Sequence, residues 1–295
     1  MEWLQVSVDV DAEVAEAVAD VLSRFAPGGV AIEVSGEDRT LAVGSVTVRA
    51  YLPVGPDTPD TRQRLEEALW HLGQISPIPS PTFTHVAEAD WADAWKEHFH
   101  PLRVGEHIVI KPTWREFQAS AGDIVIELDP GMAFGTGLHP TTQMCLMALE
   151  KSIQPGDRVL DLGTGSGILA LAAAKLGART VLALDTDPVA VAVARENVQL
   201  NGATDQVTVA QGSLEQATGT YDLVVVNILA KVIIALAREG LAACVRAGGR
   251  WVAAGIIDPQ VGEVTTALTA AGLRVTEQQR ITDWVTLIGC RPDEG

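Results

Sequence analysis

Alternation of apolar and polar residues opens the chain. Leu4, Val6, Val8 and Val10 share one side of a period-two pattern, so Trp3 to Val10 is predicted as a strand. Asp11 can cap a following helix, in which Val14, Ala17, Val18, Val21 and Leu22 recur at helical spacing until Pro27-Gly28-Gly29 ends it. Val30 to Val34 and Thr40 to Leu52 read as strands around the turn Gly36-Glu37-Asp38, Thr58 to Leu72 as a helix and Pro81 to Ala87 as a last strand. The order βαββαβ predicts a small ferredoxin-like α+β domain over residues 1–88. Residues 89–105 are assigned to a connecting segment. Within it Trp91, Trp95 and Phe99 are spaced as on a short helix that meets Pro101, an aromatic stripe better suited to packing than to ligand contact.

From residue 157 the pattern changes to short apolar runs separated by helical stretches, the signature of a parallel sheet covered on both faces. The runs are Arg158 to Leu162, Thr180 to Leu184, Val207 to Ala210, Asp222 to Val226 and Arg250 to Ala254. The helices are Ile168 to Leu176, Pro188 to Asn201, Ala230 to Leu241 and Pro259 to Ala271, with each proline in a first turn that tolerates its missing N–H. Leu273 to Gln279 and Val285 to Cys290 have no helix between them and must pair antiparallel. Residues 106–295 are therefore predicted as an α/β domain, an open doubly wound sheet with an antiparallel terminal strand.

Composition narrows the partners. No apolar run approaches the roughly 20 residues that span a bilayer, and the first residues lack a signal peptide's basic end and apolar middle, so no membrane association is expected. Cys145, Cys244 and Cys290 are far apart and form no CxxC pair, which predicts neither disulfides nor zinc and suits a reducing cytoplasm. His98 and His100 have no partner cluster, so no metal role is assigned. The net charge of −17 repels polyanions and argues against naked nucleic acid as a substrate. Residues 1–88 hold five arginines and 14 acidic residues, a net −9, so this region is either an attractor for a basic partner or ordinarily solubilised.

The strongest chemical signal is Asp161-Leu162-Gly163-Thr164-Gly165-Ser166-Gly167, between a buried strand and a helix. Its glycines allow a tight turn and close approach to a ligand, and the helix N-terminus offers unpaired N–H groups. A dinucleotide fingerprint requires glycine at position 168, where this chain has Ile168, so the spacing favours methionine carboxylate and adenosine over pyrophosphate. Asp185 ends the next strand, where a carboxylate can accept hydrogen bonds from both ribose hydroxyls; Asp187 is read as a helix cap. Asn227 stands at the end of the fourth strand, either orienting an amine and holding cofactor or capping the helix from Ala230. Ahead of the sheet, Leu128 to Thr142 reads as an irregular loop able to cover a cofactor. Within it Thr141 and Thr142 could be no more than N-caps, and His139 a satisfied histidine.

DPGMAFGTGLHPTT, VLDLGTGSGILALAAAKLGA and VVVNILA, in this order and spacing, closely resemble the family that methylates bacterial ribosomal protein L11, the PrmA family of class I S-adenosylmethionine-dependent methyltransferases. DWADAWKEHFHPLRVGEHIVIKPTW resembles that family's connecting segment. The glycine motif marks only the broad class, whereas generic members lack FGTGLHPTT. The resemblance implies a Rossmann-like methyltransferase sheet and residues 1–88 as the substrate-recognition domain. It also implies S-adenosyl-L-methionine as cofactor, held by Thr142, Gly163, Asp185 and Asn227. Asn227 would also position the amine, and Phe134 and His139 would shape the methyl-transfer pocket. The implied reaction is methylation of lysine ε-amines and an N-terminal α-amine of the ribosomal protein before assembly. The alternatives are a methyltransferase for another basic protein and a non-catalytic, cofactor-binding ribosome-assembly factor. No residue is identified as a general base.

Overall fold

The computed structural model describes residues 2–11, 14, 18–19, 21–22, 25–26, 30–34, 45–55, 58–73, 78–87, 100–129 and 137–293. The chain divides into two compact units, Met1–Phe99 and His100–Gly295. Trp91, Trp95, Phe99 and the turns predicted at 27–29 and 36–38 lie outside the described residues.

The first unit contains β1 (Glu2–Asp11), β2 (Val30–Val34), β3 (Ser45–Pro53), α1 (Thr58–Gly73) and β4 (Thr82–Ala87). Between β1 and β2, Val14, Val18, Ala19, Val21 and Leu22 are helical. The strands form one antiparallel sheet in the order β2-β3-β1-β4. Leu4, Val6 and Val8 pair with Leu52, Ala50 and Val48, and this apolar face closes on Val18, Val21 and Leu22 and on Leu65 and Leu69 of α1. Period-two burial in β1 thus meets helical-period burial in α1, the two-layer sandwich that the alternation predicts.

The second unit opens with a three-stranded sheet that the hydrophobic pattern did not predict. Its strands are β5 (Leu102–Val104), β6 (Ile108–Lys111) and β7 (Ile124–Glu127), and β5 includes residues assigned from sequence to the connecting segment. There follow α2 (Pro140–Ser152), β8 (Arg158–Leu162), α3 (Ile168–Lys175), β9 (Thr180–Asp185), α4 (Pro188–Leu200), β10 (Val207–Gln211) and β11 (Tyr221–Asn227). Next come α5 (Ala230–Glu239), α6 (Leu241–Cys244), β12 (Val245–Ile257), α7 (Val261–Ala270), β13 (Arg274–Ile281) and β14 (Trp284–Cys290). Pro188 occupies the first turn of α4 as predicted, whereas Pro259 lies in a short 3-10 turn just before α7.

Seven strands make the main sheet, in the order β10-β9-β8-β11-β12-β14-β13. All pairings are parallel except those of β14, which runs antiparallel to both β12 and β13. The antiparallel last strand therefore sits inside the sheet, between β12 and β13, and β13 forms the edge. Alternate residues feed two cores: Val159, Leu223, Val225 and Val252 join α2, α3 and the small sheet on one face, while Leu160, Val224, Val226 and Trp251 join α5 and α7 on the other. Chain direction away from β8 reverses between its neighbours β9 and β11, which makes the C-terminal ends of β8 and β11 the crevice where open α/β sheets take ligands.

The opposite end of β8 is secured by charge. Asp157, 6% exposed, accepts two hydrogen bonds from Arg250 Nη2 at 3.0 and 2.9 Å and one from the Gln154 N–H at 2.8 Å, while Arg250 Nη1 donates to the Ser152 carbonyl. Removing one member of such a pair leaves a buried charge uncompensated. Asp157→Ala should lower the stability of this unit by about 3 kcal/mol in denaturant unfolding; an unchanged midpoint would show that the pair is structurally idle.

Candidate functional site

Three glycines in five residues, Gly163 (φ 74°), Gly165 (φ 54°) and Gly167 (φ 83°), lie in the left-handed region between β8 and α3. A side chain at 163 would collide with the Ile228 side chain just after β11, so the loop packs on Ile228 as it does because that position is glycine. The Gly163 and Thr164 N–H groups both donate to the Leu184 carbonyl, at 2.8 and 3.0 Å, and hold the loop on the end of β9.

Asp185 continues from that anchor. Its Oδ2 accepts from the Gly165 N–H at 2.9 Å and its Oδ1 from the Asp187 N–H at 3.0 Å, which leaves lone pairs on both oxygens for a ligand. Asp187 caps α4 as read from sequence, accepting from the Val189 N–H at 2.8 Å. Asn227, 9% exposed at the end of β11, donates through Nδ2 to Thr142 Oγ1 at 3.4 Å across 85 positions of sequence. The helix-cap reading of Asn227 does not hold: the residue at the N-cap of α5 is Leu229, and the asparagine turns to α2 instead. The structure thus brings Thr142 and Asn227 together, sets Ile228 against Gly163, and joins Asp185 to the glycine loop.

His139 replaces the threonines as the cap of α2. Its Nδ1 accepts from the Thr141 N–H at 3.3 Å and lies 2.7 Å from Thr141 Oγ1, while Thr141 and Thr142 lie within the first turn, both buried. The imidazole also meets the Trp284 ring edge-on, with centroids 4.7 Å apart. Trp284, which the sequence reading did not single out, reaches this place because an antiparallel strand begins where its parallel neighbours end; it pairs with Ile257 at the end of β12. Phe134 and residues 130–136 lie outside the described residues. Among the described residues no group of three or more His, Cys, Asp or Glu could hold a metal.

The second residue missed from sequence is Asp161. Period two in β8 turns it to the same face as Val159, into the core beneath the glycine loop, where it is fully buried. Its Oδ2 accepts from Thr164 Oγ1 at 2.7 Å, and the backbone N–H of Ala170 in the first turn of α3 also faces the carboxylate. Burial pushes its pKa up to about 7, with the Asp185 charge adding and the Thr164 hydrogen bond opposing. The carboxylate of Asp185 at the end of β9, with lone pairs left on both oxygens, and the Thr142–Asn227 pair across the crevice together suit a ligand that carries hydroxyl groups.

This burial has a pH consequence. Because the folded-state pKa lies above that of the unfolded chain, the unfolded state binds fewer protons between about pH 4 and 7, and the contribution of Asp161 to stability falls as pH rises through that window. Asp161→Asn keeps an acceptor for Thr164 and removes the ionisation. Unfolding of the ligand-free protein from pH 4 to 8 should then show the variant gaining on the parent as pH rises. A difference independent of pH would mean that Asp161 does not titrate in this range.

The comparisons with known proteins agree with this geometry. The family model described as ribosomal protein L11 methyltransferase (PrmA) matches residues 2–292. The protein called ribosomal protein L11 methyltransferase in Chloroflexus aurantiacus is 46% identical, with 98% of each chain covered. Its counterpart in Herpetosiphon aurantiacus is 41% identical, covering 99% of this chain and 100% of that one. The crystal structure of the ribosomal protein L11 methylase from Lactobacillus delbrueckii subsp. bulgaricus is similar at 34% identity and a TM-score of 0.60, over 66% of this chain and 100% of that one. A match over nearly the whole length, together with the strand order and the loop between β8 and α3, places this chain in the ribosomal protein L11 methyltransferase family.

Proposed function

We propose that this chain transfers methyl groups from S-adenosyl-L-methionine to lysine ε-amines and the N-terminal α-amine of ribosomal protein L11, in the cytoplasm and before the protein joins the ribosome. The observation that carries the reading is the glycine loop between β8 and α3, turned left-handed at Gly163, Gly165 and Gly167 and joined through the Gly165 N–H to Asp185 at the C-terminal edge of the sheet. Asp185 would hold the ribose hydroxyls with the lone pairs its two backbone contacts leave free. Gly163 would meet the cofactor through its backbone, its side-chain position being taken by Ile228, and Thr142 and Asn227 close the other side of the crevice. When bound, the cofactor supplies a methyl group on a sulfonium, which departs without acid assistance.

What remains for the protein is to place a neutral amine. Asn227 Nδ2 is engaged with Thr142, so Oδ1 is the atom left to accept an amine N–H and direct the nitrogen lone pair. Leu138, four residues before Thr142, and Leu229, two after Asn227, are exposed apolar side chains suited to a lysine stem. Apolar surroundings favour the uncharged amine, whose reference pKa is about 10.4 for lysine. His139 Nδ1 already accepts from the end of α2, which disfavours it as the proton acceptor and leaves water for that part. The net −9 of residues 1–88 supports that region as the recognition domain for a basic protein.

Mass spectrometry of purified ribosomal protein L11 incubated with this protein and S-adenosyl-L-methionine should show mass added in steps of one methyl. Asp185→Ala should weaken cofactor binding by roughly tenfold or more, from the loss of charge-assisted hydrogen bonds. Cofactor binding without added mass would send the search to another acceptor.

A further inference from the structure

We infer that Asn197, on α4, is a positioning residue for cofactor binding: its buried amide fixes the peptide between Ser166 and Gly167, and with it the shape of the glycine loop. The inference rests on reading that loop as the cofactor site. Asn197 is 7% exposed, and its Nδ2 donates to the Ser166 carbonyl at 2.8 Å. The N–H at the other end of the same peptide, that of Gly167, donates to the Thr164 carbonyl at 2.9 Å. One peptide plane is thereby held from both sides.

The peptide plane two back, between Thr164 and Gly165, is held the same way. The Thr164 carbonyl accepts from Gly167, and the Gly165 N–H donates to Asp185. Two outside elements therefore shape the loop: β9, through Leu184 and Asp185, and α4, through Asn197. On the same side of α4, Ala194 fits against Gly167, where an added Cβ would stand 3.3 Å from the alanine's own. Glycine at 165 and 167 permits the left-handed turns but does not select them, because glycine populates other regions about as readily. A ligand that needs one loop shape loses affinity in proportion to the fraction of chains holding another. Asn197 supplies the selection that the glycines lack.

Asn201, the residue that caps the C-terminal end of α4, is a built-in control. Its Nδ2 donates to the Glu127 carbonyl at 2.6 Å and to the Asn197 backbone carbonyl at 2.9 Å, and its Oδ1 accepts from the Glu127 N–H at 2.9 Å, so it secures β7 and the last turn of α4 and makes no bond to the loop. Replacing either asparagine removes amide hydrogen bonds from the same helix, but only one replacement touches the glycine loop.

The experiment is calorimetric titration of the full chain, unsubstituted and as Asn197→Leu and Asn201→Leu, with S-adenosyl-L-homocysteine, alongside a melting curve for each. Both variants should melt earlier. Asn197→Leu should bind about tenfold more weakly, the equivalent of about 1.4 kcal/mol, while Asn201→Leu stays within about twofold. In turnover with ribosomal protein L11, Asn197→Leu should raise the KM for S-adenosyl-L-methionine and leave kcat at saturating cofactor within about twofold. Asn197→Ala, which removes the donor without adding an apolar branch, serves the same comparison if the leucine chain does not fold. Parental affinity in the Asn197 variants, or equal losses at both positions, overturns the inference alone. Failure of the unsubstituted chain to bind overturns the reading of the loop, and the inference with it.

Discussion

A backbone that turns left-handed at 163, 165 and 167 between a buried strand and a buried helix is the constraint on which the rest of this unit depends. Such a segment has no fixed shape of its own, because the residues that permit the turns permit many others. Its neighbours supply the shape: the Leu184 carbonyl takes two N–H groups, Asp185 takes a third and Asn197 holds a carbonyl. The cost of ordering the loop is thus met during folding by β9 and α4, and a ligand finds it already formed.

That arrangement explains why polar groups are tolerated where the two cores come closest. Asp161 stands on a face otherwise given to apolar residues, bonded to Thr164 and faced by the Ala170 N–H. An ionised carboxylate so placed is costly, which is why burial raises its pKa. Asn227 and Thr142 are a milder case, two buried polar side chains that satisfy one another across the crevice yet leave one carbonyl oxygen for a third group. The Asp157–Arg250 pair at the far end of the sheet is different in kind, since its hydrogen bonds are complete within the protein.

The elements legible in the sequence were those whose period matched their burial. β8 runs over the predicted residues because Val159, Leu160 and Leu162 feed cores on both faces, and β1 follows its alternation because only one face is covered. The strands β5, β6 and β7 escaped notice because three or four residues are too few to show a period. At the site, the glycine spacing and the acid at the end of β9 were readable, since motif and element boundary coincide there. The Thr142–Asn227 contact, the burial of Asp161 and the place of Trp284 were not. Each depends on which strands become neighbours, and nothing local records that β14 enters between β12 and β13.

The reversal of β14 also separates two kinds of change in the crevice. Because this strand starts at the crevice, the hairpin of Thr282 and Asp283 forms the rim there, next to Trp284 and His139. β8, β9 and β11 meet the crevice with their ends, where an insertion would displace the helix that follows. A hairpin can lengthen or shorten while both of its strands keep their register. The rim is thus free to diversify toward differently shaped acceptors without disturbing the glycine loop, which lies several strands away in the sheet.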